Sequence, residues 1–194
     1  DDDGQSIEPE FYVPILPTLL VNGAKGIGTG YSTSIPMFNP TDIVANLKSR
    51  LAGKATKELA PWFRDFNGTV AYTTNASGKK SWYTKGKYEI VNANTIRITE
   101  LPIGTWTEKY KEFLESILVE TSKAQTKKKG SKKKILKSYV DHSTDAKVDL
   151  TLKFDYKDVL AIRKEATVDG TDGVERTLRL VSKKATNMSN MHLY

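Results

Sequence analysis

Apolar positions crowd the opening of the chain at Phe11, Val13, Ile15, Leu16, Leu19, Leu20 and Val21, among Pro9, Pro14 and Pro17. Each proline fixes φ and withholds a donor, so no regular helix can run through them, and the pattern predicts a buried segment that is extended or broken. The stretch GAKGIGTG at positions 23–30 has four glycines in eight residues. Such a loop can take positive φ or come close to another surface. Asn39 is then placed to cap a helix with Pro40 at its first position and Asp42 in its first turn; Ile43, Leu47 and Leu51 stripe one face until Gly53 stops it.

From Phe66 to Leu101 the rhythm changes to strands: 68–74, a turn at 75–80, 82–91, a tight turn at 92–94, and 95–99, together an antiparallel meander. Thr105 and Glu108 fit a capping box ahead of an amphipathic helix over 106–119, where Tyr110, Phe113, Leu114, Ile117 and Leu118 recur on one face. Val148, Leu150, Leu152 and Phe154 alternate with polar residues as a half-buried strand, followed by a short helix from about Tyr156 to Glu165. Asp169 to Gly173 reads as a turn and Arg176 to Val181 as a last strand. The fold class expected is α+β, an antiparallel sheet with flanking helices.

Composition narrows the chemistry. The 194 residues are 38% hydrophobic, enough to bury a core, and contain no cysteine, which rules out disulfides and thiolate metal sites. His142 and His192 are too far apart in sequence to assemble a zinc site by themselves. No apolar run reaches the roughly 20 residues that span a bilayer, and the acidic opening is unlike a targeting peptide. A soluble intracellular protein without a membrane partner is the expectation. The net charge of +7 and the pI near 9.3 point to a polyanionic partner.

That charge is a block: Thr121 to Ser138 holds eight lysines and no acid, whereas residues 1–40 hold five carboxylates against Lys25. Lys127, Lys128, Lys129, Lys132, Lys133 and Lys134 have nothing to bury and repel one another, which predicts a mobile basic loop over 121–138. It is either a solvated loop or a nucleic-acid contact. The glycine stretch fails both phosphate-loop patterns, because Thr29 follows Gly28 where a Walker lysine would stand, and Tyr31 and Thr33 occupy the third glycine positions of a dinucleotide loop. Ile27, between Gly26 and Gly28, is either a core residue or an apolar wedge of the kind that unstacks a DNA step. His142 reads as a surface histidine, Asp1 to Asp3 as a solvated terminus, and no nucleophile–base set is visible.

The segments EPEFYVPILP (8–17), LVNGAKGIGTGYS (20–32), then Ile35-Pro36, Asn39-Pro40 and DIV (42–44) closely resemble the breakage-reunion region of eukaryotic-type DNA topoisomerase II. PWFRDFNGT (61–69), ITELP (98–102) and TWT (105–107) continue the likeness in the same order. Similarity fades over 120–170 and returns weakly at LRLVS (178–182) and Asn190-Met191. The resemblance implies a segment of that enzyme. Residues 1–40 would connect from the winged-helix domain and carry the DNA-bending loop, 41–181 would form the α+β tower domain, and 182–194 would return toward the rest of the DNA gate.

It implies further that Ile27 intercalates into the gate DNA and bends it, flanked by Gly26 and Gly28. Trp106 would lie along the DNA path, and Arg179, Ser182, Lys183, Lys184 and Asn190 would contact DNA, with the six lysines of the basic block as auxiliary phosphate contacts. Gly104 departs from the basic residue usual before Thr105-Trp106, and the alignment over 183–188 needs about two extra residues. The family's nucleophile is a tyrosine after an arginine, and none of the nine tyrosines here follows one. The catalytic tyrosine, the metal site and the ATPase are therefore expected outside this segment, which would bind DNA without cutting it; ATP and Mg2+ would serve the parent. The parent would be a homodimer acting on double-stranded DNA, in the nucleus of a cellular eukaryote or the cytoplasm or viral factory of a virus. The competing readings are a freestanding basic nucleic-acid-binding module and a self-sufficient hydrolase, which would need a phosphate loop or a triad.

Overall fold

A computed structural model describes Gly4 and residues 8–29, 31–74, 78–119, 134–182, 186–187 and 191. They fall into two compact units, one running to Arg64 and including Met191, the other from Asp65 to Asn187.

The first unit contains α1 (Thr18–Asn22), the strands β1 (Ala24–Gly28) and β2 (Tyr31–Ile35), and α2 (Pro40–Leu51). Its core is small: Ile35, Phe38 and Ile43 are buried, with Leu19, Leu20, Val21, Ala24, Leu59 and Met191 packed around them. Gly23, at φ 66°, links α1 to β1; a Cβ there would lie 2.7 Å from the Ile35 carbonyl oxygen, so the turn accepts only glycine. Helix α2 starts as its sequence predicts, with the Asn39 side chain accepting a 2.9 Å bond from the Thr41 N–H and Pro40 inside the first turn.

Two expectations fail in this unit. Phe11, Tyr12, Val13 and Ile15 are 72–98% exposed, not buried. Their apolar pattern marks side chains suited to burial, but the described residues of this unit leave them uncovered. For the same reason the α2 stripe buries Ile43 while Leu51 is largely exposed.

The second unit holds two antiparallel sheets. One has the order β3 (Thr69–Thr74), β4 (Lys80–Lys85), β9 (Thr186–Asn187); the other is β5 (Lys87–Asn92), β6 (Thr95–Glu100), β8 (Leu150–Phe154), β7 (Leu136–Asp141). Ile96 and Ile98 of β6 pair across from Leu152 and Leu150 of β8, and all four are fully buried. They share a core with Tyr110, Phe113, Leu114 and Ile117 of α3 (Thr107–Ile117) and with Val159 and Ile162 of α4 (Tyr156–Lys164). The i, i+3, i+4 spacing in α3 and the alternation in β8 put those side chains on one face each, so the amphipathic patterns act as the sequence predicts. The class is α+β.

Four local expectations are corrected here. The single strand expected over 82–91 is broken at Gly86, whose N–H donates to the Leu180 carbonyl (2.8 Å) and where a Cβ would lie 2.4 Å from the Glu100 carbonyl oxygen. This close approach sends β4 and β5 to different sheets, so the meander does not form. Helix α3 has Trp106, not Thr105, at its N-cap and no side-chain cap bond. The last strand is replaced by α5 (Gly173–Thr177), which Asp172 and Glu175 hold in a reciprocal capping box. Leu178 and Leu180 are both buried after it, and Arg179 between them takes φ 53°. Alternating apolar residues mimic a strand there, but the capping box and the core claim them for a helix and a turn. The basic loop expected over 121–138 is cut short: Ile135 and Leu136 are buried and Leu136 to Ser138 open strand β7, which no sequence signal predicted.

Candidate nucleic-acid interface

Each unit gathers some of the residues that the sequence nominates. In the first, what reads as a glycine loop is a β-hairpin: β1 and β2 pair antiparallel with Lys25 opposite Ser34, Gly26 opposite Thr33 and Ile27 opposite Ser32. Because strand side chains alternate, Lys25, Ile27, Ser32 and Ser34 share one face, while Ala24 and Ile35 point to the small core. Ile27 is 85% exposed, so it is not a core residue of this chain. Gly26 has no positive φ, and a Cβ there would make an ordinary 3.5 Å contact with Thr33. The fold therefore does not require glycine at that position. Lys25, which sequence reasoning passed over, stands beside Ile27 on the same face; reading GAKGIG with a period of two would have found it.

In the second unit Trp106, Arg179 and Ser182, distant in sequence, line one pocket of about 300 Å3 with Lys109, Tyr110 and Phe113. The turn from Pro102 to Thr105, closed by a 3.0 Å bond from the Thr105 N–H to the Pro102 carbonyl, presents Trp106, which is 74% exposed. Gly104 sits in that turn at φ 83° with open space around it. The turn thus explains glycine at this position by its backbone, where a basic side chain would be strained.

Ser182 is fixed by two bonds to Thr84: its N–H donates to the Thr84 carbonyl (2.8 Å) and its Oγ accepts from the Thr84 N–H (3.0 Å). The Thr84 hydroxyl in turn accepts from the Ile103 N–H at 3.0 Å. Buried Thr84 thus ties the Trp106 turn to Ser182, a role with no local sequence signal. The Ser182 hydroxyl proton is left to donate.

Tyr110 floors the pocket. Burial raises its pKa well above the ordinary tyrosine range, against a lowering by the Arg179 charge, so it stays protonated and donates to the Leu178 carbonyl at 2.7 Å. The Arg179 guanidinium lies over the Phe113 ring, 4.3 Å from its centroid.

Lys127, Lys128, Lys129, Lys132, Lys133, Lys183, Lys184 and Asn190 lie outside the described residues; Lys134 is exposed. His142 is exposed, as expected of a surface histidine, near an ion pair in which Arg97 donates twice to Asp149, both at 2.7 Å. Those bonds hold the Asp149 carboxyl below its usual range. No nucleophile with a base beside it occurs in either place among the described residues, and the chemistry on offer is cationic, hydroxylic and aromatic contact.

A family model for the A-type subunit of DNA gyrase/topoisomerase IV matches residues 1–189. The chain is 41% identical over its whole length to DNA topoisomerase 2 of Arabidopsis thaliana and 35% identical over its whole length to that of Plasmodium falciparum. It is 46% identical over 131 residues to DNA topoisomerase 2 of Acanthamoeba polyphaga mimivirus. It spans 10–12% of the length of these relatives. A crystal structure of the Plasmodium falciparum topoisomerase II DNA-binding, cleavage and re-ligation domain superposes with a TM-score of 0.75 at 35% identity, covering all of this chain and 23% of that one.

Proposed function

The chain belongs to the DNA gyrase/topoisomerase IV family of A-type subunits, and on that premise we propose that it binds and bends the gate DNA within an ATP-dependent type II topoisomerase. In this reading the hairpin face carries the bend. Ile27 pushes between stacked bases and Lys25 meets a neighbouring phosphate, with Gly26 and Gly28 flanking Ile27 along the strand. Trp106, Arg179 and Ser182 receive backbone phosphates and sugars, with Lys183, Lys184 and Asn190 continuing the contact. Contacts of this kind fix register and orientation and carry no sequence preference.

The observation that carries the reading is the exposure of Ile27 on a polar and cationic strand face. A large aliphatic side chain there costs solvation unless a partner covers it, and the stacked interior of DNA is such a partner. The parent's homodimer, its nuclear location in a cellular eukaryote and the tower role of residues 41–181 belong to the same proposal. ATP and Mg2+ would act at other segments of the parent. Among the described residues no group of three or more His, Asp or Glu is placed to hold a metal ion, and the contacts proposed here need neither cofactor.

The test is titration of the 194-residue chain with a labelled duplex at rising salt. If about four phosphates are neutralised, affinity should fall about 100-fold between about 50 and about 200 mM salt, with little difference between duplex sequences. Absent or salt-independent binding would sink the proposal. Neutralising Lys127, Lys128, Lys129, Lys132, Lys133 and Lys134 together should flatten the logarithmic salt slope by about 0.9 for each lysine that meets a phosphate. Thermal unfolding should not change, since exposed like charges contribute little to a core. An unaltered slope would make the block a solvated loop, and a cooperative loss of structure would make it a folded element.

A further inference from the structure

Arg179 combines two features that local structure does not require. It takes the left-handed backbone region at φ 53°, which a side chain with a Cβ avoids, and its guanidinium rests on an aromatic ring of another element. The surroundings hold the backbone there from every side. Leu178 and Leu180 are fully buried. The Leu178 carbonyl accepts from the Tyr110 hydroxyl at 2.7 Å; the Leu180 N–H donates to the Glu175 carbonyl and its carbonyl accepts from the Gly86 N–H, both at 2.8 Å. Glycine would satisfy all of these bonds, none of which uses the Arg179 side chain, and would do so without a Cβ in the left-handed region. An arginine at a position where the backbone favours glycine points to work done by the side chain.

We infer that Phe113 is a positioning residue for DNA binding, its ring and the left-handed backbone together holding the Arg179 guanidinium across the pocket for a single backbone phosphate. The ring holds the guanidinium 4.3 Å from its centroid and offers no strong acceptor, so the guanidinium donors remain for an anion. A long arginine free in water would lose rotamer freedom on meeting a phosphate; one already seated on Phe113 loses less. Lys109 and exposed Trp106 line the same pocket and suit the phosphate and sugar of one strand. This inference rests on the reading that the pocket meets DNA.

A double-mutant cycle on the 194-residue chain tests it: wild type, Phe113→Leu, Arg179→Gly and the double variant, each with duplex affinity at several salt concentrations and a Tm. Arg179→Gly should reduce the salt slope by about 0.9, the loss of one phosphate. Its Tm should stay within about 4 °C of wild type, because relief of the backbone offsets the lost ring contact. Phe113→Leu should weaken binding about three- to tenfold with the slope unchanged, and should have no further effect once Arg179 is gone. Phe113→Met carries the same expectation if the leucine variant loses cooperative unfolding.

A Phe113→Leu effect that persists in full in the Arg179→Gly background would show a general packing role and overturn the inference. So would wild-type affinity in Phe113→Leu. Salt-dependent binding by wild type with no coupling defeats this inference alone, whereas no binding by wild type defeats the DNA-binding reading and this one with it.

Discussion

Ile27→Ala in the full-length parent enzyme should reduce DNA cleavage and relaxation about tenfold or more while leaving duplex affinity within about threefold. Unstacking a base step costs a few kcal/mol, which an inserted apolar side chain offsets, and each 1.4 kcal/mol lost from the bent state is a factor of ten in its population. Affinity comes mostly from phosphates, which the substitution leaves alone. Folding should hardly respond, since Ile27 is 85% exposed and the variant opens no cavity; a buried isoleucine would cost about 2 to 5 kcal/mol. The measurements are the bend angle by energy transfer across the gate duplex, relaxation of supercoiled DNA, and thermal unfolding of the variant chain. Normal bending with normal relaxation would remove Ile27 from the mechanism.

Glu175→Ala should lower the unfolding free energy by about 3 kcal/mol, because it leaves a largely buried cation without its partner. Lys85 Nζ lies 2.8 Å from Glu175 Oε2, the two side chains only 13% and 12% exposed, and it also donates to the Gly170 carbonyl. Glu175 is at the same time half of the capping box: its N–H donates to Asp172 Oδ1 at 2.7 Å and its Oε2 accepts from the Asp172 N–H at 2.9 Å. The Tyr88 hydroxyl donates to Asp172 Oδ2 at 2.8 Å, so α5 is tied through Asp172 and Glu175 to strands of both sheets. Glu175→Gln, which keeps an acceptor for Lys85, should lose less. Urea unfolding of the two variants reads the difference. A change below about 1 kcal/mol for the alanine variant would mean that Lys85 finds water once freed, and that the pair does not lock α5.

The amino-acid sequence by itself determined the features set within a few residues. The Asn39-Pro40 start of α2, the core face of α3 and the alternation of β8 follow from a cap or a repeat that one turn or one strand displays, because a side chain's position on its own element depends on local geometry. The ordered motifs from EPEFYVPILP to TWT likewise determined the family. Only the tertiary structure decided what depends on residues far apart in the chain. Ile27 is equally apolar whether buried or exposed; the pairing with Ser32 turns it outward, away from the Ile35 face. Gly86 looks like one more residue of a strand until the Glu100 and Leu180 carbonyls close on it. Leu178, Arg179 and Leu180 alternate as a strand would, yet the capping box at Asp172 and the bonds from Tyr110 and Gly86 bend them into a turn that brings Arg179 to Phe113 and Trp106. A hydrophobic pattern records which side chains gain by leaving water, and the element and surface that receive them are set by partners elsewhere in the chain.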